Sequence, residues 1–272
     1  MALFERLAAL EREGGSAVLA TVIQTRGSVP RREGTKMLIY ADGRIEGTIG
    51  GGRMEATVIE EAMLALKDGK TRVKSYAFVD PEKGDVGVCG GEMEVFIEPL
   101  RPSPMVVVIG GGHVGKAVAH LAHWLGFRVV VSDDRPEFVT PEAVPDADEY
   151  ILCALGDLPD KISIHEETYL ILATRGVDID VLGLPALLET PATYIGVIGS
   201  RRRWETTADK LQEMGISVEK LQRVTSPIGL ELNAETPEEI AVSVMAQIVM
   251  MRRGGSGETM AHAPKRRKGK AK

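Results

Sequence analysis

The feature that most constrains the fold is a glycine loop, Gly110-Gly-Gly-His-Val-Gly115, set between an apolar run and a helical stretch. Met105–Ile109 reads as a buried strand, and His113–Leu125 as the helix that follows it. Glycines at this spacing, in the order strand, tight turn, helix, fit the opening of a parallel βαβ unit. Gly110 allows the turn, Gly112 lets a phosphate approach the backbone, and Gly115 lets helix and strand pack closely. The N–H groups of the first helical turn, beginning at His113, then face an anion in a favourable dipole. Further on, the second strand closes with Ser132-Asp133-Asp134. Asp133 stands where an acid commonly accepts a ribose hydroxyl. A phosphate-bearing ligand is therefore expected in this half of the chain.

The alternation of strand and helix continues past the loop. Arg128–Val131, Tyr150–Cys153, Tyr169–Ala173 and Thr193–Ile198 are short apolar runs, as expected of strands covered on both faces by crossover helices. Two turns at the ends of later strands suit anions. Thr174-Arg175-Gly176 is one, and Gly199-Ser200-Arg201-Arg202-Arg203 is the other, with Ser200 a natural N-cap. Three arginines at a helix start oppose the dipole unless an anion answers them. Thr236-Pro-Glu-Glu239 is a capping box with proline at the first helical position. The helix it opens, to about Met251, is apolar almost all round and is expected to be buried.

Ahead of the loop, Leu100-Arg-Pro-Ser-Pro104 reads as a linker. The expectation is an α/β protein. It has an N-terminal α+β domain over 1–100, a Rossmann-like domain with a helix-flanked parallel sheet over 105–254, and a disordered basic tail over 255–272. In the first domain Ala2–Glu13 has helical spacing, and Ser16–Ile23, Lys36–Tyr40, Arg44–Ile49, Thr71–Val79 and Met93–Ile97 are strand-like, with a hairpin turn at Asp42-Gly43. Gly47-Thr-Ile-Gly-Gly-Gly-Arg-Met-Glu55 repeats the order of strand, glycine run and helix, the helix running from about Met54 to Lys67. Gly50, Gly51 and Gly52 would admit a ligand to the backbone. Glu55 would partner the helix start or touch that ligand.

Composition narrows the functional classes. No apolar run approaches the ~20 residues that span a bilayer. The first residues, with Glu5 and Arg6, lack an apolar signal core. A cytoplasmic location without a membrane partner is expected. The net charge is −6, yet Ser256–Lys272 carries six Lys/Arg against one Glu, so the rest is more acidic than the total. That argues against a dedicated nucleic-acid binder. Two cysteines make no disulfide framework. Cys89, followed by Gly90-Gly91, could be a nucleophile, a soft-metal ligand or an inert loop thiol. Cys153, inside an apolar strand, reads as packing. His120 and His123 read as a surface pair rather than zinc ligands.

With these blocks in order, the chain resembles the XdhC/CoxI family, accessory factors of molybdenum hydroxylases such as xanthine dehydrogenase. The resemblance covers about residues 5–254. It is carried by Ala20-Thr-Val-Ile-Gln-Thr-Arg-Gly-Ser-Val-Pro-Arg31, Gly47–Gly52 with Glu55, and Cys89-Gly-Gly91. In the second half it is carried by Gly110–Gly115, Asp133-Asp-Arg-Pro-Glu-Phe138, Thr174-Arg-Gly176, Tyr194–Arg202, Pro227-Ile-Gly-Leu230 and Thr236–Val242. The resemblance implies a non-catalytic chaperone that binds molybdenum cofactor, protects it during sulfuration and passes it to an apo molybdenum hydroxylase. A cysteine desulfurase partner and a homodimer accompany that reading. The implied ligand is molybdopterin or a related dinucleotide, held in a cleft between the domains. One wall would be the Gly110–Gly115 loop with Arg175 and Ser200-Arg201; the other would be Gly50–Gly52 with Cys89. Glu55, His113, Asp133 and Gly199 complete the expected cofactor-binding set. The chain departs from the family pattern at Val177 and Thr225-Ser226, where imidazoles generally stand.

Two alternatives stay open. The same glycine loop would serve an NAD(P)-dependent oxidoreductase or a nucleotide-binding regulator. The sequence offers no Tyr-Lys or His-Asp pair at a convincing spacing for hydride transfer, which counts against the first.

Overall fold

In the computed structural model, residues 3–78 and 90–262 are described. The chain divides into two compact units, Met1–Pro102 and Ser103–Lys272. Cys89 and the tail from 263 onward lie outside the described residues.

The first unit opens with α1 (Leu3–Arg12) and is built around β1 (Ala17–Arg26), whose alternation turns Val18, Ala20 and Val22 into a core. β2 (Lys36–Tyr40) adds Met37 and Ile39 on the same face, and β3 (Ile45–Gly47) closes the meander. α2 (Gly52–Asp68) covers that face, with Met54, Val58, Ala62 and Ala65 buried at helical spacing. β4 (Arg72–Ala77) and β5 (Glu92–Leu100) complete an antiparallel sheet in the order β3-β2-β1-β5-β4. β1 runs beyond the expected Ile23. A register shift between Val22 and Gln24 lets it keep pairing with β5 as far as Arg26.

The second unit alternates strand and helix: β6 (Met105–Ile109), α3 (His113–Trp124), β7 (Arg128–Asp133), β8 (Glu149–Leu152), β9 (Thr168–Leu172) and α4 (Val177–Leu188). β10 (Tyr194–Val197), α5 (Arg201–Glu213), α6 (Val218–Leu221), β11 (Val224–Thr225) and α7 (Pro237–Arg253) follow. All its strands are parallel, in the order β11-β10-β9-β6-β7-β8. The chain leaves the first strand in one direction, then crosses back to build the other half. β6 and β9 therefore flank the switch point, outside whose C-terminal edge open α/β sheets bind ligands. Pleat alternation supplies a core on each face. Val107, Leu170 and Ile195 meet α4 and α5 through Leu184, Leu187 and Leu211. Val106, Val129 and Tyr169 meet α3 and α7 through Val118, Ala122, Val244 and Ile248.

Three expectations change. α7 buries only one face, through Ala241, Val244, Met245 and Ile248. Val242, Val249 and Met251 are exposed, because the helix packs on a single layer. β7 runs two residues further than expected, which takes Asp133 into the buried strand end. β8 stops at Leu152, so Cys153 lies just past the strand rather than within it.

The capping box at Thr236 and Glu239 is present. The glycine loop is held by backbone contact. A Cβ at Gly115 would stand 1.8 Å from the Gly110 carbonyl oxygen, whereas a Cβ at Gly112 would meet nothing within 4 Å. Gly115→Ala should therefore destabilise the protein by about 3 kcal/mol or more, as the helix is forced off the strand. Gly112→Ala should cost no more than about 1 kcal/mol, since only a glycine N-cap is lost. Urea unfolding of both variants checks the contrast.

Candidate functional site

A cavity of about 290 Å³ opens at the C-terminal edge of the parallel sheet, entirely within the second unit. The ends of β6, β7 and β9 and the first turns of α4 shape it, with Cys153 and the residues after it on one side. Leu155, Ile179 and Leu182 give it apolar lining, and Asp134, Arg135 and Arg175 give it charged lining. Gly110 lies at the cavity and adopts φ 111°, a conformation open to glycine.

The start of α3 has no side-chain cap: Gly112 is its N-cap and offers no acceptor. Its first N–H groups thus remain available to an anion. The neighbouring Gly111 N–H is already used, donating to Asp133 Oδ2 at 3.0 Å. Asp133 is buried and also accepts from Arg135, through the backbone N–H and Nε at Oδ1 and through Nη2 at Oδ2. Both of its oxygens are occupied, so it braces the loop while lining the cavity. Asp134 lines the cavity beside it. Arg175 donates two parallel bonds to Asp134, Nη1 to Oδ1 at 2.6 Å and Nη2 to Oδ2 at 2.7 Å. That guanidinium holds the Asp134 carboxyl well below the usual carboxylate range.

Behind Arg175 lies a second ion pair. Arg203 Nη2 donates to Asp180 Oδ2 and to Thr174 Oγ1, both at 2.6 Å, and Nη1 donates to the Thr174 carbonyl at 3.1 Å. Thr174 Oγ1 in turn donates to Asp180 Oδ1. Asp180 is fully buried. One of the three arginines at the α5 start is thus answered from within the protein, by an aspartate of α4, and not by a ligand. Its Nε is buried without a hydrogen-bond partner among the described residues. Ser200 caps α5 by accepting from the Arg203 N–H. Arg201 is exposed, as is His113 at the start of α3.

In the first unit, Glu55 Oε2 accepts from the Ile49 and Gly51 N–H groups and from the Thr48 hydroxyl. Gly50 N–H donates to Thr48 Oγ1. The run Gly50, Gly51, Gly52 has φ of 144°, 75° and 65°, which side-chain-bearing residues rarely adopt. Glu55 therefore folds back on its own loop and uses the donors that a ligand would need there.

Of the expected residues, Gly110, Asp133 and Arg175 meet at one cavity, with Gly112, His113 and Gly115 on the adjoining loop and helix. Gly199, Ser200 and Arg201 sit at the next strand end. Gly50, Gly51, Gly52 and Glu55 belong to the other unit. Cys153, expected as strand packing, borders the cavity with its Sγ 3.5 Å from Ser132 Oγ. His120 is exposed and pairs with Asp146. Among the described residues no group of three or more His, Cys, Asp or Glu side chains could hold a metal. The sequence pattern places Asp134 and Arg135 in the segment beside Asp133 without giving them roles of their own, and it does not single out Asp180. An aspartate inside a helix as apolar as Val177–Leu188 is the available signal for the last of these.

Residues 106–248 match the model of the XdhC Rossmann domain, and residues 10–77 that of the XdhC and CoxI family. The chain belongs to the XdhC and CoxI family. Among its relatives is the uncharacterized protein YqeB of Escherichia coli (strain K12), 36% identical over 262 residues, covering 96% of this chain and 48% of that protein. A probable xanthine dehydrogenase subunit of Bacillus subtilis (strain 168) is 30% identical over 159 residues, 58% of this chain and 46% of that one. The chain spans about half the length of these two. The molybdenum cofactor insertion chaperone PaoD of Escherichia coli (strain K12) is 26% identical over 269 residues, 88% of this chain and 84% of PaoD. A crystal structure from Bacillus halodurans described as a xanthine dehydrogenase covers 97% of this chain and 98% of its own, with TM-score 0.50 and 24% identity, a likeness of fold.

The two ion pairs of this XdhC-family site should differ in stability. Asp180→Ala leaves the Arg203 guanidinium without its buried carboxylate and should cost about 3 kcal/mol. Arg175→Ala breaks an exposed pair and should cost under about 1 kcal/mol. Thermal and urea denaturation of both variants test this.

Proposed function

We propose that the chain is an accessory chaperone that binds molybdenum cofactor and delivers it, after sulfuration, to an apo molybdenum hydroxylase. The observation that carries this reading is the uncapped start of α3, which follows Gly110 of a cavity also lined by Arg175, in a chain of the XdhC and CoxI family. The chaperone name of the PaoD relative supports it.

The cargo's chemistry fits these residues. Molybdopterin ends in a phosphate, and its dinucleotide form carries a pyrophosphate. The α3 N–H groups and the Arg175 guanidinium would hold that phosphate, with space over Gly112 for its oxygens. The expected partners are the apo-hydroxylase and a cysteine desulfurase, and the chain would act as a homodimer. In this reading the protein's residues bind and shelter the cofactor and catalyse no turnover of their own.

Gly112→Val places a branched side chain over the phosphate path while leaving the loop's backbone contacts in place. Binding of molybdenum cofactor should fall at least tenfold, or ~1.4 kcal/mol, with the melting temperature nearly unchanged. The control measures nicotinamide binding and turnover with hydroxy-acid and aldehyde substrates on the same preparation. Hydride transfer at ~1 per second or faster, without pterin binding, would replace the chaperone with a dehydrogenase.

A further inference from the structure

We propose that the cavity beside the glycine loop is a nucleotide subsite, in which Asp134 accepts the ribose hydroxyls and Arg175 takes the phosphate once their mutual pair opens. The proposal rests on the phosphate reading of the α3 loop and names the chemical group attached to that phosphate.

Three features lead there. The first is size and polarity. A cavity of about 290 Å³ is at the lower end of ligand pockets, room for one nucleoside-sized group and not for two. Its lining is mixed: Leu155, Ile179 and Leu182 offer apolar surface to a flat ring, and Asp134 and Arg175 offer charge. Leu182 is 77% exposed, so an apolar side chain is left in solvent at the rim, where a base would cover it.

The second feature is which acid is free to act. The glycine spacing directs attention to Asp133, but its side chain is 2% exposed and its oxygens serve Gly111 and Arg135. Asp134, the next residue, is 40% exposed at the side chain and lines the cavity. Its partner Arg175 is removable, being exposed by 49%. A carboxylate that accepts two parallel bonds from a guanidinium can accept two from a vicinal diol.

The third feature is placement. Asp134 follows β7 and Arg175 follows β9, and β6 with its glycine loop lies between those strands. The pair therefore reaches across the end of β6. A phosphate arriving at the α3 start comes beside Arg175, and the sugar attached to it comes beside Asp134. Binding exchanges one bidentate pair for two, so the internal pair competes with the ligand.

The test is calorimetric titration of the full chain with inorganic phosphate, AMP and CMP, and of molybdopterin with and without its attached nucleotide. AMP and CMP should bind at least about tenfold tighter than phosphate, because they also cover the apolar lining. Asp134→Asn should strengthen phosphate binding about threefold, the size expected of freeing an exposed ion pair. The same change should weaken AMP and CMP at least about threefold, since lost bonds to a charged acceptor outweigh that gain. Leu182→Ala, a change at an exposed side chain, should weaken the nucleotides and leave phosphate unchanged. Nucleotides that bind no tighter than phosphate, or an Asp134→Asn effect of one sign on both, overturn the subsite. Molybdopterin bound equally with and without its nucleotide overturns it too, while leaving the chaperone reading intact. Opposite-sign Asp134→Asn effects without binding of molybdopterin in either form would support the subsite and remove the chaperone.

Discussion

The contact of the α3 backbone with the end of β6 governs the second unit. The helix rests on the strand so closely that a single added carbon at Gly115 would collide with the Gly110 carbonyl oxygen. The neighbouring glycines are closed in the same way, Gly110 by the Ala173 carbonyl and Gly111 by the Phe138 carbonyl. Each contact brings in a different segment: the helix, the end of β9 and the turn after β7. Gly112 alone in the motif faces open space. The loop is thus packed by backbone on every side except the one from which an anion can approach.

The charges around it fall into two kinds. Asp133 and Asp180 are buried, and each is bonded to an arginine. Removing Asp180 would strand the Arg203 guanidinium against protein, and removing Asp133 would release the Gly111 N–H and Arg135, so these pairs define shape. Asp134 and Arg175 are solvent-exposed, and salt screens such a pair. Arg203 holds the Thr174 turn from behind and so sets the position from which Arg175 projects. A rigid inner layer thereby carries an exchangeable outer one.

What is legible in the sequence is local. The glycine loop, the strand–helix rhythm, the Ser200 cap and the Thr236–Glu239 box all depend on residues within a few positions of each other, and they stand in the structure. Partnerships over longer separations are not legible. Arg203 reaches Asp180 across 23 positions and Arg175 reaches Asp134 across 41; nothing in their spacing marks them as pairs. The one-sided burial of α7 escapes the sequence for a related reason. Its composition is apolar, but which side meets the sheet depends on α3 and the strands it packs against. Cys153 stands one residue beyond its strand, where it packs against the core as expected and also borders the cavity. Strand ends are set by pairing with the neighbouring strand, which the local pattern does not contain.

Both glycine loops carry an acid that accepts from their own backbone: Asp133 for Gly111, and Glu55 for Ile49 and Gly51. Consecutive glycines lose more backbone freedom on ordering than any other residues. Here that loss is met during folding, by an internal carboxylate. A ligand arriving at the α3 loop then meets a surface already in its final form. Binding would show little unfavourable entropy from the protein, and departure would require no local collapse. Under the proposed function a carrier that has to release its cargo would gain from such an arrangement, since occupied and vacant states would differ by contacts and not by refolding.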